Sequence, residues 1–274
     1  MISSASFRQG EIAYRTAGSG RCVVLLHGFL ESSEVWESSI QALSTRYRVV
    51  AIDLPGHGQS PCFGYVHSME LMAGAVKAVL DHLGLRRYVM AGHSMGGYVA
   101  LAFAELFPEN LIGLALVHST AAADSLQKQK DRELAIQAIK KNPQIYVRAA
   151  IPRLFFTNRI QEFTQPSEHL TRIAGDCSRQ GMIAALEGMK TRKNREMLLS
   201  YAGYPVMFVA GTHDPVLPYE VLSQQFALPK KPSVVTLKES AHMGFIEEQR
   251  KFLSAIKHFV ARCHREVRRE SAEE

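Results

Sequence analysis

The chain has 274 residues, 46% of them hydrophobic, and four cysteines (Cys22, Cys62, Cys177, Cys263) without paired or metal-like spacing, which fits one domain with an insertion and argues against a disulfide framework or a zinc site. No run approaches the roughly 18 apolar residues that cross a bilayer, and the polar start Met1 to Gly10 lacks the apolar core of a signal peptide, so a cytoplasmic protein without a membrane span is expected. The net charge of +6 lies within residues 120 to 200, with 14 Lys/Arg against 8 Asp/Glu there and 18 against 18 elsewhere; without an Arg-rich block interleaved with aromatics, this excess reads as a solvated basic surface, or as one that attracts anionic substrates or an acidic surface, and not as a nucleic-acid site.

Phe7 to Tyr14 reads as a hairpin, Cys22 to Leu26 as a buried strand and Tyr47 to Ile52 as another. Ser68 to Leu83 carries apolar residues at helical spacing, Leu71, Met72, Ala75, Val76, Val79, Leu80 and Leu83, with Gly84 as its stop. A strand at Tyr88 to Ala91, a helix at Gly97 to Phe107 and a strand at Leu111 to Val117 follow. The alternation then breaks. From Ala121 to Ser200 the chain is helix-compatible, with Pro143, Pro152 and Pro166 as breakers. It resumes with a strand at Pro205 to Ala210, a helix near Tyr219 to Phe226, a strand at Val234 to Leu237 and a last helix from about Glu247 to Cys263. The tail from Arg262 to Glu274 mixes both charge signs and is expected to fray. Strands alternating with helices imply an α/β fold: a mostly parallel central sheet with helices on both faces. Residues 1–120 and 201–274 then form the core, and 121–200 a helical cap insertion.

Gly92-His93-Ser94-Met95-Gly96 falls at a strand-to-helix corner. A turn sharp enough to lift a serine hydroxyl clear of a sheet forces a strained backbone and needs small neighbours, so Ser94 is the candidate nucleophile. Asp214 follows the strand ending at Ala210, and His242 the strand ending at Leu237. Loops at the carboxyl ends of parallel strands converge on one crevice, which makes Asp214 the candidate acid and His242 the candidate base. The plainer readings are a helix cap for Asp214 and a surface loop residue for His242. Phe29, after the strand that ends in Leu26-His27-Gly28, and Met95 offer backbone N–H groups for an oxyanion. Asp53 to Ser60 reads as a structural Gly-rich turn. His27, His57 and His93 read as structural hydrogen-bonding residues near the site, and His213 as loop packing. Phe29 and Met95 are expected to line an acyl pocket, while Trp36, Phe155 and Phe156 fit ordinary packing at least as well. Met182, Ile183, Leu186 and Met189 fall at helical spacing and read as a buried helix face, with a face turned to the substrate from the cap as the alternative.

His27-Gly28-Phe29, Asp53-Leu54-Pro55-Gly56-His57-Gly58-Gln59-Ser60, Gly92 to Gly97, Gly211-Thr212-His213-Asp214 and Ser240-Ala241-His242 occur in the order found in the α/β-hydrolase fold superfamily. Over about residues 10 to 262 the chain resembles its capped serine hydrolases, carboxylesterases in particular. The resemblance implies a small-molecule ester substrate, a Ser94-His242-Asp214 triad and no metal or organic cofactor. Serine at position 94 argues against the dehalogenases and epoxide hydrolases, which use an aspartate; Tyr146 alone precedes Tyr201 in the cap, so no tyrosine pair for epoxide activation is evident. Carbon–carbon bond hydrolases, enol-lactonases and hydrolase-fold small-ligand receptors with slow turnover stay open, and no oligomeric state is assigned.

Overall fold

The hairpin is longer than the sequence suggests: β1 (Ile2–Phe7) and β2 (Gly10–Ala17) pair antiparallel across a two-residue turn in which Arg8 takes a positive φ. The structure, a computed structural model, describes residues 2–273; Met1 and Glu274, the ends of the expected core segments, lie outside the described residues. β3 (Cys22–Leu26) is buried at every residue. A 3-10 turn at Ser33–Trp36 leads into α1 (Glu37–Ser44), and β4 (Arg48–Ile52) follows. α2 (Met69–His82) starts where the Ser68 side chain accepts the Leu71 N–H and stops before Gly84, whose positive φ suits glycine.

β5 (Tyr88–His93), α3 (Met95–Leu106) and β6 (Leu111–Val117) form the centre, and β7 (Val206–Gly211) and β8 (Pro232–Leu237) complete one sheet. The order is β1-β2-β4-β3-β5-β6-β7-β8. β2 runs antiparallel to β1 and β4, and the other neighbours are parallel. β3, β5, β6 and β7 are buried throughout, as strands covered on both faces must be.

Between β6 and β7 the described residues hold helices and no strand: α4 (Leu126–Lys141), α5 (Pro143–Ala150), α6 (Thr164–Gly175), α7 (Arg179–Lys190) and α8 (Glu196–Tyr201), with 3-10 stretches at Ile151–Leu154 and Thr157–Phe163. The three prolines start helices and do not break them. Pro143 is the first residue of α5 behind the Asn142 cap, Pro152 opens a 3-10 turn and Pro166 lies in the first turn of α6, positions whose N–H groups have no helical acceptor. α7 seats against the core, the His67 N–H donating to the Ala184 carbonyl at 2.8 Å.

The last helices are α9 (Tyr219–Ser223), shorter than expected, α10 (Gly244–Glu247) and α11 (Gln249–Glu273). α2 and α3 pack side by side, α3 against β3, β5 and β6, while α1 and α11 pack together against β4, β6 and β8, covering both faces. The tail is helical as far as Glu273 instead of frayed. Two of its charges are paired: Glu266 accepts from Arg262 Nε at 2.8 Å and from Lys231 at 2.9 Å, which ties α11 to the start of β8. Among the described residues no helix is long and apolar enough to cross a membrane.

Candidate active site

β5 runs into His93, α3 begins at Met95, and Ser94 between them takes φ 47° and ψ −113°. A side chain at Gly92 would overlap the Gly96 carbonyl, and one at Gly96 the Leu26 carbonyl, so both glycines are required by close approach. Such a backbone costs on the order of 1–3 kcal/mol and persists only where its surroundings hold it. Here the Ser94 N–H donates to Val117 O at 2.9 Å, and Ser119 Oγ donates to Ser94 O at 2.8 Å. As the first residue of α3, Met95 has an N–H outside the helical ladder.

Asp214 follows β7 and His242 follows β8. His242 Nδ1–H donates to Asp214 Oδ2 at 2.8 Å. The opposite oxygen, Oδ1, accepts the Val216 N–H at 2.8 Å and the Leu217 N–H at 2.9 Å. A second histidine, His118, stands just beyond β6 with a positive φ and donates its Nδ1–H to the same Oδ2 at 3.0 Å. Burial would raise the Asp214 pKa, yet the charge of His242 and the bonds from both histidines hold the carboxyl well below the usual range. Burial pushes His118 down to about 4 despite Asp214, so it is a neutral donor. His118, Asp214 and His242 offer atoms within 4.8 Å of one another, a spacing suited to a metal ion; both ring Nδ1 atoms are engaged as donors to the carboxylate instead.

Ser94, His242 and Phe29 line one cavity of about 230 Å³. Its wall includes a buried carboxylate, Glu31. Its Oε2 accepts the Gly28 N–H at 2.7 Å, its Oε1 lies 2.9 Å from His93 Nδ1, and His93 Nε2–H donates to the His242 carbonyl at 3.0 Å. Burial opposes both charges, but each sustains the other: His93 holds Glu31 below, and Glu31 holds His93 above, its ordinary pKa. One chain of bonds therefore joins the Phe29 loop, the Ser94 corner and the His242 loop. A second buried acid, Glu247, accepts the Ala241 N–H at 2.9 Å, the Met243 N–H at 3.2 Å and the Phe156 N–H at 2.6 Å, while the His242 N–H donates to Leu154 O at 2.9 Å. Burial outweighs those donors and raises Glu247 to about 7. These contacts pin the loop bearing His242 to the segment before α6.

The remaining sequence-predicted residues separate clearly. His27 donates from Nδ1 to Gly28 O at 2.7 Å and accepts the Leu54 N–H at 2.9 Å; the Asp53 carboxylate accepts the Ser33 N–H at 2.7 Å and the Gln59 N–H at 3.0 Å. His57 Nδ1 faces Pro55 O at 3.2 Å, and His213 stacks on Phe156 with centroids 3.9 Å apart. Trp36 packs on Phe245 and Phe252, and Phe155 on Phe163. The Met95 side chain is fully buried and is not part of the cavity wall, whereas Leu186 and Met189 are buried in the packed face of α7, as expected, and also border the cavity. Met182, Leu186 and Met189 share one buried face of α7, and the latter two border the cavity. Motif and spacing alone do not mark Glu31, His118 or Glu247 as site residues. The position of His118 just past an apolar strand was the available signal, by the same rule that singled out Asp214 and His242.

A family model described as alpha/beta hydrolase fold matches residues 21–249. The chain is 28% identical over 232 residues to the dihydrolipoyllysine-residue acetyltransferase component of the acetoin cleaving system of Pseudomonas putida, covering 83% of this chain but only 60% of that protein's length. It is 29% identical over 272 residues to the pimeloyl-[acyl-carrier protein] methyl ester esterase of Aeromonas hydrophila, covering 89% of this chain and 96% of that one. Among solved structures, a thermophilic esterase from Thermogutta terrifontis with malate bound is similar at a TM-score of 0.90 and 27% identity, over 96% of this chain and 99% of the other.

Proposed function

The chain belongs to the alpha/beta hydrolase fold family, and from that premise we propose that it cleaves small or medium carboxylic esters through an acyl-enzyme on Ser94. The observation that carries this reading is the 2.8 Å bond from His242 Nδ1 to Asp214, at a base that shares a cavity with a serine on a strained corner. With Nδ1 committed as a donor, Nε2 is the nitrogen left to accept a proton.

Ser94 Oγ attacks the ester carbonyl carbon as His242 Nε2 takes its proton, and the carbonyl oxygen becomes an oxyanion held by the Phe29 and Met95 N–H groups. Each such donor is worth about 10²–10³ in rate. The carbon–oxygen bond to the alcohol breaks, and the leaving alkoxide takes the proton from His242. A water then gives a proton to the same nitrogen and attacks the acyl carbon; the acid leaves as Ser94 recovers its proton. Asp214 fixes the imidazole tautomer and stabilises its cationic form, and His118 supports Asp214. No step uses a metal or organic cofactor. In the same reading, residues 121–200 are a cap over a core of 1–120 and 201–274, and its helices set the acyl pocket. Esters are chosen among the reactions open to such a triad because the Aeromonas relative and the Thermogutta structure are esterases.

A p-nitrophenyl ester series from acetate to octanoate tests this. Steady release with kcat on the order of 1 s⁻¹ or more is expected for the shorter members. Release no faster than the buffer rate across the series would remove the ester reading.

A further inference from the structure

α4 turns one face toward the cavity that contains Ser94 and His242. Lys128, Asp131, Arg132 and Ala135 line it, at the spacings that share a helix face. Asp131 is exposed and accepts the Gln127 amide at 2.9 Å. The two cations differ from an ordinary surface pair. Arg132 donates through Nε and Nη2 to Asp124, and Arg192 donates to the same carboxylate, so two guanidiniums share one negative charge. Lys128 adds another positive charge, its Nζ donating to the neutral Val216 carbonyl at 2.7 Å. Glu31 also lines the cavity, but His93 and the Gly28 N–H already engage it. The rest of the wall includes Ile151, Leu154 and Leu186. The result is a small, largely apolar pocket with surplus positive charge on one side. Burial, and then the nearby Arg132, depress the Lys128 pKa, so its charge is held at a cost that a bound anion relieves.

We propose that Lys128 and Arg132 form an anion subsite and that the preferred substrate is an ester whose acyl part ends in a carboxylate. The apolar stretch of the acyl chain lies on Ile151, Leu154 and Leu186, and the terminal carboxylate meets α4. This assignment rests on the ester-hydrolase reading and adds a substrate class to it.

The test compares methyl half-esters of linear dicarboxylic acids with methyl esters of monocarboxylic acids of the same chain length, followed by pH-stat. A charge-assisted hydrogen bond predicts a kcat/KM about 10- to 100-fold higher for the half-ester, expressed mainly in KM. Lys128→Gln, with Lys128→Met as a second neutral variant, brings that ratio toward one; Lys128→Arg keeps it well above one. A ratio near one in the unsubstituted protein, or one unchanged by both neutral variants, overturns the subsite. Cleavage of neither ester instead counts against the hydrolase reading. The subsite is then judged by thermal shift: a linear dicarboxylate raises Tm more than the matching monocarboxylate in the unsubstituted protein and not in Lys128→Gln, and equal shifts overturn it.

Discussion

Ser94→Ala is expected to lower kcat for a p-nitrophenyl ester by about 10⁴- to 10⁶-fold, the range over which removal of a serine nucleophile acts when base and oxyanion donors remain. The argument is geometric. Ser94 sits at φ 47° because the Val117 carbonyl, the Ser119 hydroxyl and the close approach of Gly92 to Gly96 hold its backbone there, and none of those contacts uses the Ser94 hydroxyl. Alanine therefore keeps the corner while deleting the attacking oxygen. The melting temperature should stay within about 2 °C, since substitutions away from packing and buried bonds stay within about 0.5 kcal/mol. Kinetics on the purified variant beside a thermal melt check both parts. A variant retaining a tenth of the activity would place the nucleophile elsewhere.

Asp214→Asn is expected to cost about 10⁴-fold in kcat and, unlike Ser94→Ala, to lower stability as well. Asp214 accepts four hydrogen bonds, two backbone N–H groups on Oδ1 and two histidine N–H groups on Oδ2. An amide has an acceptor on one side only. Turned either way, its NH₂ faces two donors, or a histidine must change tautomer and the base is lost. Unsatisfied buried donors cost about 1–3 kcal/mol each, so a fall in Tm on the order of 5–20 °C is expected. The pH dependence has a definite sign. The native carboxyl titrates below its unfolded value, so its stabilisation is fully present above about pH 4 and is lost as pH falls through the native pKa. The gap in Tm between the unsubstituted protein and Asp214→Asn should narrow on acidification below pH 4. A gap that widens there would contradict the assignment of charge.

The sheet was legible because its strands are written as apolar runs: Cys22 to Leu26 and Leu111 to Val117 are buried along their whole length and coincide with β3 and β6. α1 was not legible, being eight residues long and entered from a 3-10 turn that the periodicity does not mark. The prolines of the helical segment were misread for a local reason, since a proline that ends one helix is equally suited to begin the next. At the site, the sequence placed Ser94, Asp214 and His242 after three of the parallel strands, β5, β7 and β8, and the structure adds what depends on strand order. β3 lies beside β5, and β5 beside β6, so the loops carrying Glu31, His93 and His118 become neighbours although their residues are far apart in the chain. Nothing local distinguishes Glu31 from a solvated glutamate. Lys128 and Arg132 are a similar case: in sequence they belong to a polar, charged helix, and only the packing of α4 against α7 shows which of its faces meets the cavity.

The central claim is that Ser94 is an activated nucleophile, and a fluorophosphonate tests it most directly. Incubation of the folded protein, intact mass and peptide mapping should give one adduct per chain, on Ser94, formed far more slowly in Asp214→Asn. An unmodified mass on folded protein, or an adduct on any other residue, would contradict the account.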